Sequence, residues 1–162
     1  MSGDSPARIH ELLALYRRTH YEVRLPDGAA ATLRVGENLP ARVAGWLGAD
    51  DVAVYISACN PCSRALADAD NAARMDALRA RLRTLGARWL EGSAGIPGED
   101  WREASLLVAG IELSEIDRLA RDFGQDAVLV AAHSRHVALR LYRDDWRAHA
   151  AGATDLDWAA PA

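Results

Sequence analysis

"DVAVYISA", residues 51–58, is the stretch on which the fold turns. An extended chain here is apolar on both faces, which marks a strand covered from both sides near the middle of a sheet. A polar loop follows from residue 59 to about 68. From there to Leu85 the spacing predicts a helix, with Met75, Leu78, Leu82 and Leu85 on one face and Gly86 as terminator. "ARWLE" (87–91) reads as a strand, "GSAGIPGED" (92–100) as a glycine-rich loop, and "EASLLVAG" (103–110) as a strand. Ser114 with Asp117 opens a second helix carrying Ile116, Leu119, Ala120 and Phe123, which Gly124 ends. "DAVLVAA" (126–132) and "HVALRLY" (136–142) form a closing hairpin.

The order from 51 to 132 is strand-helix-strand-strand-helix-strand, the split βαβ or ferredoxin-like pattern. The expected fold is therefore α+β, a ferredoxin-like βαββαβ core with one added C-terminal strand. Upstream lies an extension of one helix plus a β-hairpin. Ser5 and Pro6 suit the N-cap and first turn of that helix, whose apolar stripe is Ile9, Leu12, Leu13 and Tyr16. The hairpin, 21–35, turns at Pro26-Asp27-Gly28. A short helix capped by Asn38 should then start near Pro40, with Val43, Trp46 and Leu47 inward. Residues 1–4 read as a flexible tail, 5–143 as a single α+β domain, and 144–162 as a loose Ala-rich tail without periodicity.

Composition narrows the function classes. The 162 residues are half hydrophobic and about a quarter charged, an ordinary globular balance. A net charge of −4 offers no general attraction for nucleic acid or anionic membrane. All 19 basic residues are Arg, which excludes Schiff-base and P-loop lysine chemistry. No apolar run approaches a membrane span, and the opening residues lack the pattern of a signal peptide, so a cytoplasmic location is expected.

Strand directions in the expected core bring certain side chains to one end of the sheet. They are Asn60, Ser63, Asn71, Trp101, Glu103 and Gln125, with the 92–100 loop beside them. Amides offer donors and acceptors without charge, which suits a ligand with amide-like edges or sugar hydroxyls. Glu103 is the one carboxylate singled out as an acid or base, because walling by Trp101 and apolar strand residues would raise its pKa.

"ISACNPCS", the Asn71 that opens the next helix, "WREASLLVAG" and "DFGQDAVLV" together resemble a bacterial family catalogued as domain of unknown function 3293. The resemblance covers roughly residues 16 to 142. It points to Asn60, Pro61, Ser63, Asn71, Glu103, Ser105, Phe123, Gly124 and Gln125, and leaves Cys59 and Cys62 on variable positions. The family carries no established activity, so the resemblance implies positions and not a reaction.

Each feature also has a plainer explanation. Cys59-x-x-Cys62 could be a redox pair, but the helix starts several residues later and Asp68 and Asp70 lie nearby, which would blunt a thiol. Cys59, Cys62, His133 and His136 could supply four zinc ligands. Against this, a seven-residue strand of about 23 Å should separate the two pairs, so no metal site and no cofactor is expected. Asn60-Pro61 could simply stop the strand, and Glu103 could cap amides of the glycine-rich loop. Ser63 lacks a His at its end of the sheet to make it a nucleophile. The arginines of the first core helix, Arg74, Arg79, Arg81, Arg83 and Arg88, suit a solvated face paired with acids better than a nucleic-acid surface.

The leading expectation is a small polar ligand, nucleotide- or metabolite-like, bound at one end of the sheet and oriented by amides, with Glu103 as the catalytic candidate. The rival expectation is a non-catalytic protein-interaction or regulatory module in which the same polar residues lock loops.

Overall fold

The computed structural model describes residues 3–162. Helix α1 (Pro6–Arg18) starts as its sequence suggests: the Ser5 hydroxyl accepts from the Arg8 N–H at 3.2 Å and Pro6 occupies the first turn. Ile9, Leu12 and Leu13 are its buried face. The hairpin follows as β1 (His20–Arg24) and β2 (Ala30–Leu33), and then α2 (Ala41–Leu47). Asn38 is not the cap of α2; Pro40 takes the cap position and no side chain closes that turn. Val43 and Leu47 are buried, whereas Trp46 stays half-buried, with the Arg88 guanidinium 4.2 Å from its ring centroid.

The central region supplies β3 (Val52–Ile56), α3 (Asp68–Thr84), β4 (Arg88–Gly95), β5 (Arg102–Ala109), α4 (Leu113–Asp122) and β6 (Ala127–Ala132). Helix α4 starts one residue before Ser114, with Glu112 at its cap. Strand β7 (Arg135–Leu141) completes the closing hairpin. One sheet of eight strands runs β2-β1-β4-β5-β3-β6-β7-β8, where β8 is Leu156–Trp158. Strand β3 lies between β5 and β6 and is antiparallel to both.

Helices cover the two faces of this sheet. Val54, Ile56, Leu106, Val108, Val128 and Val130 pack against α3 and α4. Ala53, Tyr55, Leu107, Leu129 and Leu139 pack with the apolar faces of α1 and α2. The double cover explains why β3 carries no polar face.

The sheet is larger than the sequence suggests, for two reasons. First, residues 92–95 are strand and not loop: Gly92, Ser93, Ala94 and Gly95 pair with β1 on one side and β5 on the other. The glycine at 92 is there for close approach. A Cβ on Gly92 would lie 2.8 Å from the Tyr55 hydroxyl and 2.5 Å from the Glu22 carbonyl oxygen, which that hydroxyl bonds. Only the residues from Ile96 to Trp101 turn.

Second, the stretch expected as a loose tail returns to the sheet. Asp144–His149 forms a 3-10 helix whose Trp146 is fully buried, and β8 pairs parallel to β7. The indole N–H of Trp146 donates to Asp4 at 3.2 Å. Asp155 accepts two bonds from Arg17 of α1, at 2.7 and 2.9 Å. Arg140 joins Asp117 and Asp157. Of the expected 1–4 tail, residues 1–2 lie outside the described residues.

Replacing Trp146 by Ala should therefore cost about 3–5 kcal/mol of stability, as for other buried aromatics. Urea denaturation of the two proteins measures it; a loss below about 1 kcal/mol would mean that this segment does not pack on the sheet.

Candidate functional site

The chain between β3 and α3 holds an uncommon backbone. Asn60, Cys62 and Ser63 have φ of +47°, +55° and +56°, and none is glycine. Such conformations cost of order 1 kcal/mol each and persist where surrounding contacts impose them. Those contacts are specific. The Asn60 backbone N–H donates to Asn71 Oδ1 and Asn71 Nδ2 returns a bond to Asn60 Oδ1, both at 2.9 Å. Asn60 Oδ1 also accepts from the Leu66 N–H at 3.0 Å. From α4's end, Gln125 Nε2 donates to the Cys59 carbonyl at 2.9 Å and the Gly124 carbonyl accepts from the Cys62 N–H at 2.7 Å. Gly124 has φ +68°, and a Cβ there would lie 2.9 Å from Pro61 Cβ. Arg74 reaches inward rather than lying on the outer face of α3, donating to the carbonyls of Ala58 and Phe123. Its helix neighbours do pair with acids, Arg79 with Asp76 and Glu91 and Arg81 with Asp122.

Between this loop, α1 and the sheet lies a cavity of about 240 Å³. Leu12, Leu15 and Tyr16 of α1 form its roof, and Tyr21, Tyr55, Ser57, Glu103, Ser105 and Leu129 line the sheet side. Asn60, Ser63, Trp101, Gln125 and Asp126 also border it. Trp101 is 41% exposed. Asn71 does not border this cavity. It lines a second, more open cleft toward α3 with Asp68, Asp76, Arg79 and Arg102, and Cys59, Asn60 and Glu103 border both spaces.

Glu103 is the carboxyl where the two spaces meet. Its Oε2 accepts from Asn60 Nδ2 at 2.8 Å. Burial pushes its pKa up from the ordinary 4.5, and the bond from Asn60, with the Ser57 hydroxyl nearby, offsets part of that rise. No cation figures among the groups that set it. Glu103 is half-buried, whereas the nearby Asp126 is buried and fully engaged: Ser63 Oγ donates to it at 2.6 Å and Arg143 at 3.1 Å.

Five of the six sequence-derived residues thus meet at one cavity, and the sixth, Asn71, holds Asn60 from behind. The amides do a different task from the one expected. Asn60, Asn71 and Gln125 spend hydrogen bonds on the loop. The roof was missed, because Arg8 and Tyr16 come from the extension, and so were Tyr55 and Ser57. A signal for the latter was present: Tyr55, Ser57 and Cys59 alternate with Val54, Ile56 and Ala58, the period of a strand with two different faces.

The cysteines are both free; Cys59 is buried and Cys62 exposed, and burial pushes the Cys59 thiol up. Ala132, next to His133, pairs with Val52 at the start of β3, whereas Asn60 follows its end, so the His pair lies at the opposite end of the sheet. Among the described residues no cluster of His, Cys, Asp and Glu is arranged to hold a metal ion, and no helix is long and apolar enough to cross a membrane.

Two outcomes follow from these bonds. Asn71→Ala should destabilise the protein by about 1–3 kcal/mol in chemical denaturation, because it strands the Asn60 N–H. Glu103→Gln keeps an acceptor for Asn60 without the charge. The folded parent holds its Glu103 proton to higher pH than the unfolded chain does, so its stability falls as pH rises above about 4.5. The variant should then melt at or above the parent at pH 8, with the difference vanishing below about pH 4.5; an advantage that instead grows on acidification would contradict the burial of this carboxyl.

No curated protein and no solved structure matches the chain. Residues 56–128 match a family model described as Protein of unknown function (DUF3293). That span is narrower than 16–142. It runs from the end of β3 into β6, so it contains the strained loop, Asn71, Trp101, Glu103 and the Gly124-Gln125 corner, but not the α1 roof. This segment, which carries the loop and the carboxyl of the cavity, is thus the part of the chain that is similar to the DUF3293 family.

Proposed function

We propose that the cavity under α1 binds a small, metabolite-sized molecule and that Glu103 acts on it as a general acid or base. One observation carries this reading: a half-buried carboxyl with no cation of its own borders a cavity of about 240 Å³. A volume just under the usual 300–1,000 Å³ of ligand pockets suits a single ring or short chain better than a dinucleotide. A carboxyl whose pKa is raised by partial burial is better suited to proton transfer than a fully solvated one. Apolar walls from Leu12, Leu15 and Leu129 would hold the body of the ligand, and Trp101 its outer edge. Asn60, Asn71 and Gln125 act indirectly, by holding the loop that presents Ser63 and shapes the opening.

The reading includes a ferredoxin-like core inside the larger sheet, supported by the order β4-β5-β3-β6 and by the helices α3 and α4 on one face. It also includes a cytoplasmic bacterial protein with no nucleic-acid partner, in keeping with the net charge of −4. A second reading, the non-catalytic interaction module, is favoured by the same amide bonds, since side chains that only lock a loop need no ligand.

A thermal-shift screen against metabolites and nucleotides separates the two. A true ligand at a hundredfold its Kd should raise Tm by about 5–10 °C, slow the labelling of Cys59 by a small thiol reagent, and lose its effect in Glu103→Gln. If no compound shifts the parent and Cys59 labelling never changes, the interaction module takes the lead.

A further inference from the structure

The hydrogen-bond donors on the sheet side of the cavity are almost all committed to the protein itself. The hydroxyls of Tyr21, Tyr55, Ser57 and Ser105 donate to the carbonyls of Tyr16, Glu22, Ala104 and Glu103. Thr19 donates to the Leu15 carbonyl and Ser63 to Asp126. Asn60 gives Nδ2 to Glu103, and Gln125 gives Nε2 to the Cys59 carbonyl. Arg8 turns to the Ser63 carbonyl. Tyr16, beside Ser63, the exposed Trp101 and the other N–H groups of Arg8, all off the sheet side, hold the donors that remain.

What the sheet side has left to offer a ligand is acceptors: the second carboxyl oxygen of Glu103, the oxygens of Tyr21 and Tyr55, and the amide oxygen of Gln125. Three tyrosine rings surround that set, and two of them, Tyr21 and Tyr55, meet edge to face at 5.3 Å between centroids. Burial keeps all three phenols protonated, so Glu103 supplies the negative charge on the sheet side. An arrangement of acceptors, ring faces and one uncompensated carboxyl selects against anions and for a donor-rich cation.

We propose that the cavity takes a small molecule bearing a primary ammonium or amidinium group, seated against Glu103 among Tyr16, Tyr21 and Tyr55. The assignment rests on reading the cavity as a ligand site and names the chemistry of that ligand. The cation would complete the pair that Glu103 lacks, and its N–H groups would meet the unspent acceptors. Carboxylates and phosphates have no counterpart on the sheet side of the cavity.

Calorimetric titration at neutral pH with benzylamine, benzyl alcohol and benzoate tests this on the unaltered protein. The three probes share a ring and differ in charge. Benzylamine should bind at least tenfold more tightly than the alcohol, benzoate should not bind, and Glu103→Gln should remove the preference for the amine. Equal or tighter binding of the alcohol or benzoate overturns the assignment, as does silence from all three. The metabolite screen then decides separately whether the cavity binds anything: a neutral or anionic ligand found there would keep the ligand site and discard the amine. Circular dichroism of Glu103→Gln, matched to the parent, shows that a lost preference is not lost folding.

Discussion

Strand β3 must be covered on both faces, and most of the architecture follows from that demand. Its apolar residues face α3 and α4 on one side and the extension with α1 and α2 on the other. Burying a Val or Ile side chain contributes about 1.5–3 kcal/mol, so leaving either face open would cost more than a small domain can spare. The cover on the α1 side is complete only over the apolar half of the sheet. Where β3 and β5 turn polar, at Ser57, Ser105 and Glu103, the helix stands off and the cavity opens. The site is therefore a consequence of a change in residue type along two strands whose backbone pairing continues.

The loop beyond β3 shows how the protein keeps an unfavourable backbone. Left-handed conformations at Asn60, Cys62 and Ser63 would relax in isolation. They are held from three directions: by Asn71 of α3, by the Gly124-Gln125 corner after α4, and by Asp126 at the start of β6. Residues far apart in sequence thus determine one short segment. This arrangement also accounts for the matched family span, since 56–128 includes the loop and every one of these anchors.

How much of this is legible in the sequence depends on the kind of signal. Periodicity exposed β3, α3 and α4, and the Ser5-Pro6 pair placed the start of α1. The convergence of Asn60, Glu103 and Gln125 was readable from strand direction alone. Glycine misled at 92–95, because the residue that usually breaks a strand serves here to let the Tyr55 ring pass. The residues after 144 misled because one buried Trp146 and the Arg17–Asp155 and Arg140–Asp157 pairs fix them, without an apolar repeat. The division of labour among the amides was illegible, because a sequence shows which groups can bond and not which bonds they have already made.

The Arg17–Asp155 pair has a consequence for the order of events during synthesis. The roof of the cavity, α1, leaves the ribosome early, yet one of its ties spans 138 residues and the Trp146–Asp4 bond spans 142. At translation rates of about 5–20 residues per second, roughly 7–28 s separate the two ends of the Arg17 contact. The sheet beneath can pair during that interval and meet the apolar face of the helix, but these polar ties form only when the late segment arrives. A nascent chain therefore carries the walls of the cavity well before it carries every tie that holds its roof.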